Sequence, residues 1–302
     1  MNDAVQALIR RLERSLSLTY DAAGSCERPC RAGKLFRVRL GDRLFALKLY
    51  EEGYFNDAYL YRALATTPVP VPAIHACDDS RDLVGKPWIL MDWVEGDLQT
   101  SDLRAVGQQI GRMLREIHAI PVDGAGARGP NAWEFPDWHT LVEVHAHRDR
   151  VEISRLVDSE PNKAFYLAIV DEFVHFGRLQ PNQSFLLHGD LGLDNIIVHN
   201  NRVVGLIDAG WFVGGNPLMD VSYLMNSRLG EGDGMVGLLE GYGLAGLDGH
   251  HGVMILRLYH WIGKLIHFNS TGQREIYEQR RRKLLEFAVR HGFRSGSPEH
   301  VA

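Results

Sequence analysis

Three polar residues interrupt the apolar stretch LLHGDLGLDNIIVHNNRVVGLIDAGWF at 186–212: Asp190, Asn195 and Asp208. Asp190 and Asn195 stand five apart in DLGLDN, which is neither two-periodic nor helical in its apolar pattern and carries Gly192, so both belong to a loop. Asp208 follows at the end of the strand-like VVGLI, before Gly210. A hairpin turning at HNNR (199–202) brings Asn195 and Asp208 side by side. An amide oxygen beside a carboxylate suits Mg²⁺, a hard cation that takes oxygen ligands and shares its shell with substrate phosphates. It does not suit zinc, which takes nitrogen or sulfur. Taken singly, Asp and Asn are ordinary turn residues; the set is what points to chemistry.

The order Asp-Leu-x-x-x-Asn, then Asp-x-Gly, is that of the catalytic and metal-binding loops of protein kinases. There the first aspartate receives the proton of the attacking hydroxyl. A free aspartate, with a pKa of about 3.9, is a poor base towards an alcohol. A loose phosphoryl-transfer transition state, however, needs the oxygen aimed more than deprotonated early. The same chemistry requires a lysine on an upstream strand. FALKLY supplies Lys48, and NDAYLYRAL supplies Asp57 as its partner on the next helix.

The elements that must position these residues follow from periodicity. Val5, Leu8, Ile9, Leu12 and Leu16 predict a helix over 3–17, and the two-fold rhythm from Lys34 to Tyr50, broken at Gly41-Asp42, predicts a β-hairpin. YFNDAYLYRALA reads as a helix, TPVPVP as an extended strap, and PWILMDWVEGD as a buried strand ending near Gly96. Beyond Asp102 the pattern turns helical, with DGAGARGPNAW as a loop and LGEGDGMVG and GYGLAGLDGHHG as glycine-rich interruptions. These readings predict an α+β chain in two lobes: a β-rich N-terminal lobe over 1–95 and a mostly helical C-terminal lobe over 96–302 that carries the loops and the acceptor site.

With 302 residues, 45% hydrophobic and 24% charged, the chain has the composition of an ordinary globular protein. Its 33 basic against 38 acidic residues leave no basic footprint for nucleic acid. No run is apolar enough to span a membrane, and the charged MNDAVQALIRRLERSL is unlike a signal peptide, so a cytoplasmic location is expected. Cys26, Cys30 and Cys77 read as reduced thiols. His188 reads as a structural residue bonding the loop backbone, and EQRRRK at 278–283 as a solvated helix face.

His188-Gly189-Asp190, Asn195 and Ile207-Asp208 together resemble the signature of the aminoglycoside phosphotransferases and related small-molecule kinases, over about residues 20–265. GYFNDAYLYRALATTPVPVPAIH is also similar to the matching part of hygromycin B phosphotransferases. The resemblance implies a protein-kinase-like fold. It implies Asp190 as catalytic base, Asn195 and Asp208 as Mg²⁺ ligands, and Lys48 on the α/β-phosphates of ATP or GTP with Asp57, where relatives carry glutamate, orienting it. The connector at Met91, Trp93 and Val94 would meet the base through its backbone. The phosphate-covering loop is expected within DAAGSCERPCRAG, at Gly24 and Ser25. Trp211, Asp220, Tyr259 and Trp261 are expected at the acceptor, with Asp220, Glu231, Asp233, Glu240 and Asp248 as carboxylates for a cationic one. Glycine before Asp190 and no APE element point away from protein substrates.

The implied activity is phosphorylation of a small-molecule hydroxyl, foremost on an aminoglycoside, which confers resistance. The alternatives are a metabolite kinase acting on choline, homoserine, a methylthio sugar or a glycated amine, and a nucleotide-binding regulatory protein without turnover.

Overall fold

The computed structural model describes residues 3–28, 33–51, 55–96, 102–156, 162–244 and 251–293. Helix α1 (Asp3–Leu16) buries Val5, Leu8, Ile9 and Leu12 against one face of an antiparallel sheet. That sheet contains β1 (Tyr20–Arg28), β2 (Gly33–Leu40), β3 (Arg43–Tyr50), β4 (Ile74–Asp78) and β5 (Trp88–Asp92), in the spatial order β1-β2-β3-β5-β4. Alternation along β3 sends Phe45, Leu47 and Leu49 to the α1 side. Ala46 and Tyr50 pack on the other side with Ala58, Tyr61 and Leu64 of α2 (Phe55–Leu64), and Lys48 shares their face. The strap at 67–72 has no regular structure, and its Pro70 carbonyl accepts the Leu206 N–H at 2.8 Å, pinning it to the hairpin that carries Asp208.

The remainder is mostly helical: α3 (Leu103–Ile117), α4 (Trp138–Ser154), α5 (Lys163–Leu179), α6 (Leu218–Met225), α7 (Gly232–Tyr242), α8 (His251–Ser270) and α9 (Arg274–Arg290). Asp102 caps α3 by accepting the Ala105 N–H at 2.9 Å, and Asp137 caps α4 by accepting that of Thr140 at 2.8 Å. Helices α4, α5, α8 and α9 share one core around Trp138, Tyr166, Phe173 and Tyr277.

Two stretches differ from the sequence reading. DGAGARGPNAW is a hairpin of β7 (Ala125–Arg128) and β8 (Trp133–Phe135), because a small sheet recruits it. That sheet also takes β6 (Pro121–Val122), β9 (Ser184–Leu186) and β12 (Gly214–Gly215). LGEGDGMVG interrupts the helices only at its start: Leu229–Glu231 lie in the break between α6 and α7, and Gly232 opens α7. Within α7 a Cβ on Gly237 would stand 2.1 Å from the Arg104 carbonyl oxygen of α3, so that glycine serves helix contact rather than a turn. Among the described residues no helix is long and apolar enough to cross a membrane.

Candidate active site

The hairpin of β10 (Ile196–His199) and β11 (Arg202–Leu206) turns on Asn200 and Asn201, both with positive φ. Its base brings the two polar loops together, since the Ile207 N–H donates to the Asn195 carbonyl at 3.0 Å. Backbone also stacks on backbone between the loops: Gly189 has φ +80°, and a Cβ there would lie 2.0 Å from the Phe212 carbonyl oxygen. No side chain, arginine included, fits at 189 without moving that loop. The Gly210 N–H closes the contact on the His188 carbonyl at 2.8 Å.

Asn195 ends a short 3-10 turn (Leu193–Asn195), and its side-chain NH₂ donates to the Asp190 carbonyl at 2.7 Å and to Asp190 Oδ2 at 3.3 Å. With both donor contacts made inward, Asn195 Oδ1 is left as an acceptor without a partner among the described residues. Asp208, at φ +57°, is held in the left-handed region, and its N–H donates to Tyr61 Oη at 2.9 Å. Its carboxylate is partly exposed. One amide oxygen and one carboxylate match Mg²⁺ completed by phosphates and water. Among the described residues no three His, Cys, Asp or Glu side chains cluster as a self-sufficient metal cage.

Lys48 meets the same loop from the sheet lobe. Its Nζ lies 3.1 Å from Asp57 Oδ2 and 2.8 Å from Asp208 Oδ1, and the residue is 4% exposed. Burial works against its charge, but the two carboxylates outweigh that and hold the ammonium above the ordinary lysine range. Asp57 also takes the hydroxyl of Tyr50 on Oδ2 and the Ala209 N–H on Oδ1 at 2.7 Å. The aspartate thus joins β3, α2 and the Asp208 loop. Its neighbour Asn56 does the same, donating to the Gly210 carbonyl at 2.7 Å and accepting the Arg128 N–H at 2.7 Å.

The support under Asp190 comes from α6. Asp220, buried, accepts the His188 N–H at 2.7 Å on Oδ2 and the Gly189 N–H at 2.8 Å on Oδ1, with His118 Nε2 at 3.1 Å. Burial pushes its pKa up, but the His118 bond and charge and the loop N–H bond outweigh it and leave the carboxyl below the ordinary range. One turn on, Tyr223 donates its hydroxyl to Asp190 Oδ1. Asp190 itself is raised above the usual carboxylate value, chiefly by burial. Asn216 Oδ1 accepts the Leu218 N–H at 3.0 Å where α6 begins.

Several expectations are corrected. Asp220 does not face an acceptor; it braces the loop from beneath. Glu240 pairs across the surface with Arg104 at 2.5 Å, Glu231 and Asp233 are exposed, and Asp248 lies outside the described residues, as does Cys30. Tyr259 faces the helical core, stacked 3.7 Å from Phe173 and donating to Asp149 Oδ2 at 2.5 Å. Trp261 is largely buried, with Lys264 and Arg280 against its ring, and Trp211 is 76% exposed beside the Asp208 loop, so neither expectation is overturned. Gly24 and Ser25 lie on β1, not on a loop tip. Ser25 Oγ spans a bulge there, donating to the Asp21 carbonyl at 2.7 Å and accepting the Arg39 N–H at 2.9 Å. The turn itself, 29–32, lies outside the described residues. In the connector, Met91 is buried, the Trp93 N–H is taken by the Leu44 carbonyl at 3.2 Å, and Val94 packs on Gly205. Both ring nitrogens of His188 are without partners among the described residues; its backbone bonds instead, the N–H to Asp220 and the carbonyl to the Gly210 N–H.

Sequence reasoning missed Tyr223, Tyr61, Asn56, His118, Lys264 and Arg280. A signal existed for two of them: Asp220 and Tyr223 are spaced i, i+3, and Arg280 stands three after Tyr277 and four before Leu284, on the buried side of α9. EQRRRK is therefore not wholly a solvated face.

The model of the APH phosphotransferase enzyme family matches residues 31–256. The chain belongs to this family. Among curated relatives, the hygromycin-B 4-O-kinase of Escherichia coli is 22% identical over 185 residues, 58% of this chain and 53% of that protein. A homoserine kinase of Rhizobium etli is 30% identical over 174 residues, 57% of this chain and 50% of that protein. The chain thus spans about half the length of these curated relatives. A solved thermostable mutant of the aminoglycoside phosphotransferase APH(4)-Ia, in ternary complex with AMP-PNP and hygromycin B, superposes with a TM-score of 0.76 at 19% identity, over 95% of this chain and 99% of that one. The chain therefore shares that fold.

Proposed function

We propose that this phosphotransferase is an Mg²⁺-dependent kinase that moves the γ-phosphoryl group of ATP or GTP onto a hydroxyl of a small molecule. The observation that carries the reading is the unbroken set of contacts from Lys48 through Asp208 and the hairpin base to Asn195 and Asp190. In this reading the nucleotide lies against the sheet lobe. Lys48 turns from Asp208 to the α/β-phosphates, with Asp57 and Tyr50 fixing its direction. Asn195 Oδ1 and Asp208 hold Mg²⁺, which supplies charge neutralisation on the phosphate oxygens. Val94, whose N–H has no partner among the described residues, is the connector residue assigned to the base.

Asp190 accepts a hydrogen bond from the acceptor hydroxyl and aims its oxygen at the γ-phosphorus. As the new P–O bond forms and the bond to the β-phosphate oxygen breaks, the hydroxyl proton passes to Asp190. Burial, which raises the Asp190 pKa, makes it a better proton acceptor than a free aspartate. The contacts from Tyr223 and Asn195 fix its orientation.

An aminoglycoside acceptor, with resistance as the consequence, is supported by the hygromycin B ligand of the similar fold and by the curated hygromycin-B kinase. A metabolite acceptor is supported by the homoserine kinases and by charge. Of the carboxylates expected to hold a polycation, Asp220 lies under the loop and Glu231, Asp233 and Glu240 are exposed, while Lys264 lies near Asp190 with Arg280 beside it.

The test is turnover of ATP and GTP with Mg²⁺ against a panel of aminoglycosides and hydroxylated metabolites, with product mass. A product gaining one phosphoryl group, absent with Asp190→Ala, is the expected result. Nucleotide binding with no product from any acceptor would instead mark a regulatory nucleotide-binding protein.

A further inference from the structure

Lys264 of α8 lies near Asp190 and Asp194 of the polar loop. Its Nζ sits 5.2 Å from the ring centroid of Tyr223, the residue whose hydroxyl is bonded to Asp190, and 5.6 Å from that of Trp261. Arg280 of α9 lies 5.6 Å from the same Trp261 ring. Neither cation has an ion pair or hydrogen bond among the described residues, although most other cations of the helical region do. His260 closes the cluster, edge-on to Tyr223 at 5.2 Å.

The charges facing Lys264 are Asp190 and Asp194 of the catalytic loop and Arg280 of α9. Lys48, in contrast, faces Asp57 and Asp208. The molecule therefore holds two separate basic points beside the polar loops, one facing Asp57 and Asp208 and one facing Asp190 and Asp194. Two like charges packed on one indole, partly out of water and without a carboxylate between them, are unfavourable as they stand. Burial and the Arg280 charge depress the lysine's affinity for its proton. A bound anion removes that repulsion.

Building on the kinase reading above, we propose that Lys264, backed by Arg280, selects the acceptor by binding an anionic group, carboxylate or phosphate, of a small alcohol whose hydroxyl lies against Asp190. Lys264 Nζ has the rings of Tyr223 and Trp261 for neighbours and no hydrogen-bond acceptor among the described residues, so its donors suit an anionic acceptor rather than a polycationic one. Lys264 is a binding residue here. The proton goes to Asp190 as before.

The experiment compares 3-hydroxybutyrate, glycerate and homoserine (carboxylate arm), glycerol 3-phosphate (phosphate arm), 1,3-butanediol (neutral) and hygromycin B (cationic) as acceptors for the full chain. It uses wild type, Lys264→Met and Lys264→Arg. Direct binding of the same compounds is measured by calorimetry in the presence of AMP-PNP and Mg²⁺. The expected result is turnover or binding in one anionic arm, with KM or Kd raised about 10- to 100-fold by Lys264→Met and restored to within a few-fold by Lys264→Arg, while kcat changes less. Preference for the neutral or cationic compound, binding of no anionic alcohol, or an equal fall in kcat for every acceptor with KM unchanged would overturn it. The last of these would make Lys264 only a counter-charge to Asp190. Failure of the kinase reading shows differently, as anion binding that depends on Lys264 with no phosphorylated product. Melting temperatures of both variants separate these results from misfolding.

Discussion

The two basic points of the site are built in opposite ways. Lys48 is buried and fully engaged, its ammonium shared by Asp57 and Asp208, and Asp57 in turn is bonded to Tyr50 and the Ala209 N–H. Lys264 has aromatic rings for neighbours and no carboxylate in contact. A nucleotide triphosphate and its metal present the same charges at every turnover, so the groups that meet them can be locked in advance. In the proposed reading the acceptor, unlike the nucleotide, is what this site must select, and an unpaired cation near Asp190 is a charge that an anionic ligand balances.

If that contrast is right, substitution at the locked end damages both stability and turnover, whereas substitution at the open end damages turnover alone. The largest effect is expected for Lys48→Met, which strands the buried Asp57 without its cation. It should cost about 3 kcal/mol in urea unfolding, as for other broken buried pairs, and lower kcat/KM for nucleotide by about 10²-fold or more. Unchanged stability would show that Asp57 is satisfied by Tyr50 and the backbone alone.

Asp220→Ala comes next. It leaves the His188 and Gly189 N–H groups and His118 without their buried acceptor, so a loss of about 2–4 kcal/mol is expected near pH 7. Because the folded-state pKa of Asp220 lies below its unfolded value, the carboxylate stabilises above about pH 4 and loses that contribution as pH falls through its depressed folded pKa. The gap between wild type and variant should therefore narrow below about pH 4 in unfolding titrations. A gap constant with pH would mean that Asp220 acts by packing.

Tyr223→Phe is the mildest. It keeps the ring under Lys264 and removes only the hydroxyl on Asp190, so kcat should fall about tenfold with the melting temperature nearly unchanged. A large stability loss would place Tyr223 with the locked end of the site and blur the comparison.

Much of the part proposed to meet the nucleotide was legible because its residues lie in local patterns. Lys48 stands on an alternating strand, Asp57 early on a helix, and Asn195 and Asp208 at the two feet of a hairpin whose turn residues announce it. The acceptor side was not legible. Asp220 reads equally well as an exposed acid for a cationic ligand or as a buried brace, and Tyr259 equally well as a pocket wall or a core ring. Burial decides between these, and burial depends on what packs opposite.

By itself the sequence determined the two-lobed α+β architecture and the identity of the polar set, since periodicity and turn chemistry act over a few residues. It also determined that position 189 carries no side chain. Only the tertiary structure decided why it carries none, namely the approach of the Phe212 carbonyl. Tertiary packing alone also turned α6 so that Asp220 and Tyr223 meet the catalytic loop, and brought α8 and α9 together so that Lys264 and Arg280 share one indole. Those contacts join residues far apart in the chain. Their geometry is fixed by how helices pack against one another rather than by local propensity.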